Sequence, residues 1–371
     1  MSTFIQLHTL TSYPASNLNR DDLGRPKTVT MGNSTRLRVS SQSLKRAWRT
    51  SDVFQQSIGG GNLGIRTKEL GKYAYYALVR GCTLKEALDG SEKGEFSVVK
   101  DAAAVKIARE IAGVFGVVKK EDKKAEDKEK AKLTSLETEQ LVHVTPQEIE
   151  LVAACIESCR ESSKVPAKDE LDLLRKSNAA VDVAMFGRML ASSPQFNTDA
   201  AIQVAHAMTV HSVALDDDYF TAVDDLNIAD SGAAHLGITE FGAGLFYNYI
   251  CIDLNLLDAN LGEDVTLRNK ALKGLLKAVL QVSPTGKQNS FASRAYASYV
   301  LAERGSEQPR NLSVAFLKGI AGTNVLTDAI KSMDDTRSKM NACYGMSPDT
   351  YVMNVELGEG TLEGLLDFIT E

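Results

Sequence analysis

A cluster of polar and basic residues near the start of the sequence carries its clearest chemistry. Residues 40–43 (SSQS) are followed by Lys45, Arg46 and Arg49. If a helix begins here, its first backbone N–H groups lack intrahelical partners and its dipole favours an anion. Lys45 and Arg49 would share one face of that helix. Hydroxyls, amides and cations in this arrangement suit a phosphodiester backbone, although a capped helix with a solvated basic face has the same pattern.

Two more cations precede the cluster. Arg36 and Arg38 alternate with Leu37 and Val39 in a segment that is typical of a short strand. Because alternate side chains of a strand point to the same side, we expect both arginines on one side of it. They would extend the candidate anion site from the helix to the strand.

Asp21 and Asp22 offer a second chemistry. Adjacent carboxylates in a flexible loop are able to hold a divalent metal ion that cleaves phosphodiesters. A solvated turn that positions Arg20 explains the same residues, and we favour it. The sequence contains no G-x-S-x-G, H-E-x-x-H or Walker lysine motif, and its five histidines match no ligand pattern. It therefore predicts no catalytic residue, no cofactor and no metal site.

The composition is that of a globular protein, but the charge is unevenly spread. The chain has 371 residues and a net charge of −6, with 43% apolar and 24% charged residues, which excludes a disordered or collagen-like chain. Residues 1–50 carry a net charge of +6, whereas residues 189–267 contain 12 acidic residues and no lysine or arginine. This asymmetry indicates an anionic partner or self-assembly between opposite faces, and solvated charge clusters have the same pattern.

The cysteine usage and the lack of a long apolar stretch favour a protein of a reducing, aqueous compartment. Five cysteines without a secretory signal are typical of reduced cytosolic thiols. Cys155 and Cys159 lie four residues apart, and without a second Cys or His pair at zinc spacing we interpret them as helix packing. No stretch approaches the ~18 apolar residues of a membrane span. We expect a soluble, cytoplasmic protein that has no membrane partner.

Hydrophobic periodicity predicts mixed strands and helices, and hence an α+β fold. Strand character is found at residues 4–10, 36–39, 180–186, 244–256 and 290–301. Helices are expected at residues 41–56, 198–208 and 266–282, and near the C-terminus. The block 67–176 is mainly helical, and residues 145–148 (TPQE) form a capping box with proline at the first helical position. A charged run, 119–132, is expected to be a mobile loop or an exposed helical extension.

Five ordered blocks of sequence together resemble one protein family. The blocks are LNRDD (18–22), RVSSQSLKRA (38–47), VDVAMFGRM (181–189), YFTAVDDL (219–226) and AHLGITEF (234–241). They are similar to the backbone subunit, also called CasC, of the type I-E CRISPR Cascade complex. The resemblance extends from the first strand to about residue 288. It is weak in residues 57–175 and after about residue 300.

The resemblance implies a hand-shaped protein. Its palm, residues 1–56 and 177–371, would be an RRM-like sheet of the ferredoxin type, with a β-hairpin thumb at about 212–243. Residues 57–176, which include the charged run, would form a mainly helical fingers insertion. The aromatic RNP signature of an ordinary RRM is absent from the sequence, so we do not expect bases to stack on the sheet.

The resemblance also implies a function and partners. Copies of such a subunit assemble head to tail along the spacer of a CRISPR RNA, an arrangement that does not close. With other Cascade subunits they hold the guide RNA for pairing with a target DNA strand in antiviral defence. The target sequence would therefore be recognised by base pairing with the guide, not by the protein. The chain would be an RNA-binding scaffold, not an enzyme. The alternative is a metal-dependent ribonuclease, like type III backbone subunits, that uses Asp21 or Asp22.

The matched positions imply which residues bind the RNA. Along the RNA backbone would lie Arg20, Lys27, Ser40, Gln42, Lys45, Arg46, Arg49 and Lys287, with Arg294 as a further candidate. Met189 would wedge near a displaced nucleotide. The thumb would interrupt base stacking at regular intervals through Tyr219, Phe220, Val223 and Leu236.

Overall fold

The computed structural model describes residues 2–91, 93–122, 124–162, 164–175, 180–222 and 235–371. Its architecture is mixed α/β with antiparallel sheets, which confirms the predicted α+β class. The strands are β1 (Phe4–Ser16), β2 (Thr28–Met31), β3 (Ser34–Val39), β4 (Ile65–Thr67), β5 (Val142–Val144), β6 (Ile202–Val204), β7 (Ala207–Thr209), β8 (Asp216–Ala222), β9 (His235–Asp253), β10 (Ala297–Gly305) and β11 (Asp349–Asn354). The helices are α1 (Ser41–Arg49), α2 (Asp52–Ile58), α3 (Leu70–Arg80), α4 (Leu84–Asp89), α5 (Asp101–Phe115), α6 (Lys128–Thr134), α7 (Pro146–Ser162), α8 (Val181–Phe186), α9 (Leu254–Asn260), α10 (Val265–Gln281), α11 (Gln288–Phe291), α12 (Val325–Tyr344) and α13 (Leu362–Thr370). Short 3-10 helices lie at Pro194–Phe196 and Ser313–Phe316.

The chain divides into two compact units. We call residues 1–58, 202–255 and 265–371 the sheet unit, and residues 59–201 and 256–264 the helical unit. The strands lie in the sheet unit, except β4 and β5, which pair with each other. The helical unit therefore separates α2 from β6 along the sequence.

Antiparallel pairing orders the main sheet β11-β10-β1-β9-β7-β3-β2, and β6 and β8 also pair with β9. Strand β1 lies inside the sheet, where Leu7 faces Ala302 on one side and Ile250 on the other. Residues 5–10 of β1 are all buried. Both faces of this strand are therefore covered, and its polar residues Gln6, His8 and Thr9 are buried together with its apolar ones.

The C-terminal segment covers one face of the sheet. Alternate residues of β1, β9 and β10 point to this face. They form a buried cluster with the second 3-10 helix and with α12, whose members include Leu10, Tyr247, Tyr249, Tyr299, Leu301, Leu312, Phe316, Ala329 and Met333. The aromatic side chains on this face of the sheet are therefore inside the protein.

A buried polar network lies within the covered face. His8 Nδ1 is 2.9 Å from the Tyr247 hydroxyl, and its Nε2 is 3.4 Å from the Glu303 carboxylate. Arg310 donates to both carboxylate oxygens of Glu303, at 2.8 and 2.9 Å, and to Asn341 Oδ1 of α12 at 2.8 Å. Arg310 is thus the main partner of the carboxylate, and the network fastens α12 to β10.

Helices α3, α5 and α7 supply most of the core of the helical unit. The predicted capping box at the start of α7 is confirmed, because Thr145 N donates to Glu148 Oε2 (2.9 Å) and Glu148 N donates to Thr145 Oγ1 (3.3 Å). Cys155 and Cys159 are buried in this core. None of the five cysteines, all of which lie in the described residues, forms a disulfide. Within the described chain, each helix is too short or too polar to cross a lipid bilayer.

The charged run 119–132 is partly helical, because α6 contains its last residues. Lys132 Nζ donates to the Tyr75 hydroxyl (2.9 Å) and to Asp101 Oδ1 (2.8 Å). At the other end, Lys119 Nζ donates to Glu137 Oε2 (2.6 Å). Both ends of the run are therefore held by ion pairs within the helical unit.

Two predicted elements were wrong, and one helix is interrupted. Residues 181–186 form the helix α8, not a strand; residues 181–185, including Asp182, are all buried, so the alternation does not separate a buried from an exposed face. Residues 198–208 contribute β6 and β7, not a helix, because they pair with β9 far along the chain. The predicted helix 41–56 is broken at residues 50–51 into α1 and α2.

Candidate nucleic-acid interface

Helix α1 presents the predicted serine and basic cluster. Ser40 is its N-cap: the hydroxyl accepts a hydrogen bond from Ser43 N (3.4 Å), and the Ser40 N–H donates to Asn19 Oδ1 (2.9 Å). The side chain of Gln42 is exposed. The apolar face of the helix is buried at Leu44, Ala47 and Trp48. The Ser40 hydroxyl therefore serves the helix cap, and the N-cap is fixed to the preceding loop through Asn19.

The three cations of α1 occupy different environments. Lys45 is half-buried, and burial lowers its pKa. Arg46 is exposed, and together with Arg49 it lies in the last helical turn. The negative end of the helix dipole favours cations there. These side chains thus stabilise α1 as well as giving it a basic surface.

The loop of residues 17–27 is ordered by its own polar side chains. The Asp21 carboxylate accepts hydrogen bonds from Leu23 N (2.9 Å), Arg25 N (2.9 Å) and Arg25 Nε (3.3 Å). The bonds from Arg25 and Leu23 lower the pKa of Asp21. Asn17 Nδ2 donates to the carbonyls of Gly24 and Glu240, each at 3.0 Å. The loop is therefore a built turn, tied to the start of β9.

A first polar groove adjoins this loop. Its volume is about 500 Å³, and it is lined by Leu18, Asn19, Arg20, Asp21, Asp22, Gly24, Ser43, Thr285 and Gly286. Gly286 is packed so closely on the loop that a Cβ would overlap the carbonyl oxygen of Leu18. The groove therefore brings Arg20 together with the first turn of α1 and with residues 285–286.

A second polar groove holds three cations. Its volume is about 350 Å³, and it is lined by Asp21, Arg25, Pro26, Lys27, Thr28, Arg38, Leu215 and Glu240. Arg38 Nη1 is 2.8 Å from His206 Nδ1. Burial and the charges of Arg38 and Lys27 lower the pKa of His206, which favours the neutral imidazole and leaves the cations as the charged donors on this surface.

Arg36 does not extend the anion site, although alternation places it on the same side of β3 as Arg38. The side chain is fully buried. Its Nη1 donates to Thr209 O (3.3 Å) and its Nη2 to Phe316 O (3.2 Å). Arg36 thus fixes β3 to the C-terminal segment that covers the sheet.

Lys287 lies beside the first groove in an unusual conformation. Its φ is +48°, in the left-handed region, and its Nζ donates to Thr239 Oγ1 at 3.2 Å. Thr239 belongs to the part of β9 that pairs with β8. The ammonium group is therefore placed at the hairpin, and Arg294 is exposed nearby in the sequence.

The described residues of the predicted thumb (212–222 and 235–243) include a hairpin of β8 with the first part of β9. The pairs run from Asp216↔Phe241 to Ala222↔His235. The hairpin presents an apolar ladder of Tyr219, Leu236 and Ile238, which are 62%, 55% and 70% exposed. Tyr219 and Ile238 are direct cross-strand partners. Because these exposed apolar side chains adjoin one another, they are a candidate interaction surface.

Phe220 points to the other face of the hairpin. It is paired with Gly237, and a Cβ at that glycine would overlap the Phe220 ring. The predicted wedge residues Tyr219 and Phe220 therefore lie on opposite faces. Val223 lies outside the described residues. Ile238 was not among the predicted residues, although its alternation with Leu236 in the sequence indicates that the two share a face.

Met189 belongs to the helical unit and is 73% exposed. It lies between Arg188, which is buried, and Leu190, which is also buried. The structure thus brings Arg20, Ser43 and residues 285–286 around one groove and Lys27 into another. Among the described residues, no three His, Cys, Asp or Glu side chains are grouped as a metal site would need.

Comparisons with known proteins cover nearly the whole chain. A family model described as CT1975-like protein matches residues 5–364. A chain of a solved structure described as "CRISPR RNA-guided surveillance complex, pre-nicking" is 28% identical, with 99% of each chain covered and a TM-score of 0.80. A chain of a "CRISPR RNA-guided surveillance complex" is 24% identical, with 99% of this chain and 98% of that chain covered and a TM-score of 0.59, and it shares the fold. No curated protein matches the sequence. These matches confirm the resemblance to CRISPR surveillance-complex subunits that the five sequence blocks indicate.

Proposed function

Because the chain belongs to the family of CT1975-like proteins, we propose that it is an RNA-binding backbone subunit of a type I-E CRISPR surveillance complex. The full-length likeness to a chain of a CRISPR RNA-guided surveillance complex carries this proposal. The proposed partners are CRISPR RNA, further copies of the chain arranged head to tail, other subunits of the complex, and the target DNA strand. The cysteines, none of them in a disulfide, favour the cytoplasm as the compartment.

The sheet unit supports the proposal of an RRM-like palm. The succession β1, α1–α2, β7, β9, α10 and β10 follows the β-α-β-β-α-β pattern of ferredoxin-type folds. Those four strands lie in the order β10-β1-β9-β7 and pair antiparallel. In this proposal the fingers insertion lies in the helical unit, which extends beyond the expected residues 57–176 to residue 201 and also includes residues 256–264. The β8–β9 hairpin is the thumb.

The guide RNA is held by its backbone in this proposal, not by stacking on the sheet. An ordinary RRM stacks bases on exposed aromatic side chains of its sheet. Here Tyr247, Tyr249 and Tyr299 are buried under the C-terminal segment. Phosphate contacts carry no sequence information, so a subunit of this kind accepts any spacer sequence.

The basic surface of the sheet unit supports phosphate binding. Arg20 and Ser43 line one groove, and Lys27 lines the other together with Arg25 and Arg38. Planar guanidinium groups are well suited to phosphate oxygens. Arg25 and Arg38 thereby join the predicted RNA-binding residues as candidates.

Apolar side chains complete the proposed RNA contacts. Tyr219, Leu236 and Ile238 form an exposed ladder on the hairpin, and Met189 is exposed on the helical unit. Apolar wedges of this kind enter a base step and unstack it. We expect them to interrupt guide stacking at intervals and to leave the intervening bases ready for the target DNA.

We also propose that the subunit is a scaffold without catalytic activity. Asp21, one of the two aspartates that would bind a metal ion, already accepts three hydrogen bonds from Leu23 and Arg25. These donors stabilise the carboxylate without a metal ion. Asp22, the other candidate, lines the first groove.

The double substitution Lys45→Ala, Arg49→Ala tests phosphate binding. We expect RNA affinity to fall to a similar extent for every guide sequence. The slope of log affinity against log salt concentration should become shallower by up to about 0.7 for each lost single-strand phosphate contact. Fluorescence anisotropy with two guides of unrelated sequence, titrated at several salt concentrations, measures both quantities.

Lys331→Ala, Lys339→Ala is the matched control, since it removes two exposed lysines of α12. Circular dichroism checks that α1 is retained, because Arg49 lies in its last turn. A loss that varies strongly with guide sequence would show base reading. An equal loss in the control variant would show that only the net charge matters.

A further inference from the structure

The segment that carries Met189 is held by a buried pair of charges. The side chains of Arg188 and Glu148 are 1% and 0% exposed, and Arg188 Nη1 donates to the two carboxylate oxygens at 2.8 and 2.7 Å. Arg188 Nη2 donates to the carbonyls of Arg175 (3.0 Å) and Phe196 (3.2 Å). Burial of both charges is unfavourable unless such bonds compensate it, so the guanidinium is held in one position.

Glu148 is itself fixed at the start of α7. Its carboxylate accepts hydrogen bonds from Thr145 N (2.9 Å) and from Arg175 N (3.0 Å). Two acceptor positions remain, and Arg188 fills them. The Glu148 carboxylate therefore connects Arg188 to the first turn of helix α7.

The residues on either side of Met189 are also fixed. Gly187 has a φ of +80°, which favours glycine, and a Cβ there would lie 3.0 Å from Thr198 O. Leu190 is buried, and its N–H donates to Asn197 Oδ1 at 2.7 Å. Met189 is therefore an exposed residue between two anchored neighbours.

The direction in which a methionine side chain projects is not fixed by the side chain alone. This side chain has three rotatable bonds and adapts to its surroundings, so an exposed methionine projects in a defined direction only when its backbone is held. Arg188 is buried and bonded to protein atoms, so its guanidinium group is not exposed for contact with RNA phosphate.

We propose that Arg188 and Glu148 are positioning residues that fix the backbone at residue 188 so that Met189 projects toward the guide RNA in one direction. The inference rests on the proposed function, because it takes Met189 as an RNA contact. Arg188 does not touch the RNA; it acts through Met189.

Guide RNA that carries 2-aminopurine at successive spacer positions tests the inference, since the fluorescence of this base rises when it is unstacked. In the assembled complex, Met189→Ala should lose most of the fluorescence increase at the positions that Met189 contacts. Arg188→Lys keeps the charge but loses the planar fork, and it should show the same loss at the same positions. Glu148→Gln should do so as well.

Arg160→Lys is the matched control. Arg160 is another buried arginine of the helical unit, and its Nη2 donates to the carbonyls of Ala77 (3.1 Å) and Cys82 (2.7 Å). Arg160→Lys should lower the melting temperature by about as much as Arg188→Lys does. It should leave the fluorescence pattern unchanged. An equal fluorescence loss in this control would mean general destabilisation and would overturn the inference.

Asn197 provides a milder test on the other side of Met189, in case the arginine variant does not fold. Asn197 is exposed, so Asn197→Ala removes only the acceptor for Leu190 N. Asn197→Ala should reduce the fluorescence increase. Asn197→Asp keeps a side-chain oxygen that can accept the hydrogen bond from Leu190 N, so it should keep the fluorescence increase.

The outcomes separate this inference from the proposed function. If Met189→Ala loses the fluorescence increase while Arg188→Lys and Asn197→Ala keep it, the positioning role is wrong and the RNA contact stands. If Met189→Ala keeps the increase in a complex that binds RNA, the Met189 contact and the positioning role both fail, whereas the scaffold function stands. If the wild-type protein does not bind guide RNA, the proposed function itself fails.

Discussion

The pKa of Glu303 connects one buried side chain to the stability of the sheet unit. Burial alone would raise this pKa, but hydrogen bonding to His8 and Arg310 and the positive charge of Arg310 outweigh it and lower the pKa to about 2. Burial lowers the pKa of His8, so the imidazole is neutral near pH 7. Arg310 is therefore the cation that pairs with the carboxylate and holds the C-terminal segment on the sheet.

We expect acid to destabilise the protein in a defined window. Glu303 has a pKa of about 2 when folded and an ordinary value of 4.5, so its contribution is complete above pH 4.5 and is lost as the pH falls toward 2. The upper limit of this contribution is about 3 kcal/mol. His8 adds a loss that begins below pH 6.5, because the unfolded imidazole takes up a proton first.

Urea unfolding at a series of pH values checks this expectation. Glu303→Gln should be less stable than the wild type at pH 7 and should lose less stability below pH 4.5. Asp335→Asn, at an exposed position of α12, should follow the wild-type curve. Parallel curves for wild type and Glu303→Gln would contradict the assignment of the acid sensitivity to Glu303.

Arg36 and Arg38 show where residue-level prediction ends. The sequence predicted correctly that the segment is a strand and that the two side chains share one side of it. It did not predict that Arg36 is buried, because the cover comes from Phe316, which is 280 residues further along. The interpretation of Asp21 as part of a turn could be made from the sequence. The turn is stabilised by hydrogen bonds from Leu23 and Arg25, which are close to Asp21 in the sequence.

At the scale of elements, the β8–β9 hairpin has two different faces. One presents the ladder of Tyr219, Leu236 and Ile238, and the other folds Phe220 over Gly237. The first face is exposed, so its side chains add little to the stability of the fold. On the second face the Phe220 ring packs against Gly237, and Phe220 is 42% exposed. The ladder is therefore the more exposed of the two apolar surfaces of the hairpin.

Tyr219→Ser, Ile238→Ser should consequently change assembly on RNA more than folding. We expect a smaller 2-aminopurine fluorescence increase and weaker assembly on guide RNA, with a melting temperature close to that of the wild type. Mass photometry of the complex and a thermal melt measure the two effects.

Val355→Ser, Leu357→Ser is the control for that prediction, because both side chains are exposed apolar residues elsewhere on the sheet unit. It should leave assembly unchanged. A control that impaired assembly equally, or a hairpin variant that assembled normally, would argue against the role of the ladder.

Elements with a regular apolar pattern were predictable, and those made by distant pairing were not. Helix α10 and the central part of β9 follow from amphipathic periodicity and from a long apolar run. Strands β6 and β7 are three residues each and depend on distant partners: β6 pairs with β9, and β7 pairs with β9 and β3. The local sequence of these strands carries too few residues to outweigh a helical pattern.

At the scale of the whole molecule, the net charge of −6 combines a basic start with an acidic middle. Basic residues of the first 50 positions line two grooves of the sheet unit, while Asp216, Asp217 and Asp218 lie exposed on β8. The second groove has more cations (Arg25, Lys27 and Arg38) than carboxylates (Asp21 and Glu240), so it attracts a polyanion, whereas the carboxylates of β8 repel one. The hairpin is therefore expected to meet RNA through apolar contacts, not through charge.

The assembled complex is expected to leave RNA intact. Incubation with guide RNA, a complementary RNA and Mg²⁺ or Mn²⁺ should produce no cuts on a denaturing gel. Cuts at regular spacing that disappear in Asp21→Ala or Asp22→Ala would overturn the scaffold proposal in favour of a metal-dependent ribonuclease.

The family could be recognised from five short blocks of sequence. The burial of one face of the sheet by the C-terminal segment could not be predicted from them. The blocks end before residue 250, and the resemblance is weak after about residue 300. The segment with Leu312, Phe316 and Met333, which buries the aromatic face, lies beyond that point. The absence of an RNP signature predicted that bases do not stack there, and the burial of this face supports the same expectation.

The glycines at the base of the hairpin have a mechanical consequence. β9 is one strand of 19 residues that continues from the hairpin into the middle of the sheet. Where it passes β3 and β7, a Cβ at Gly242 would lie 3.0 Å from Leu37 Cδ1, and one at Gly244 would lie 2.6 Å from Thr209 Cγ2. The hairpin thus projects by roughly 20 Å, and its direction is set at two positions without a side chain. A bend of a few degrees there would move its far end by about 1 Å.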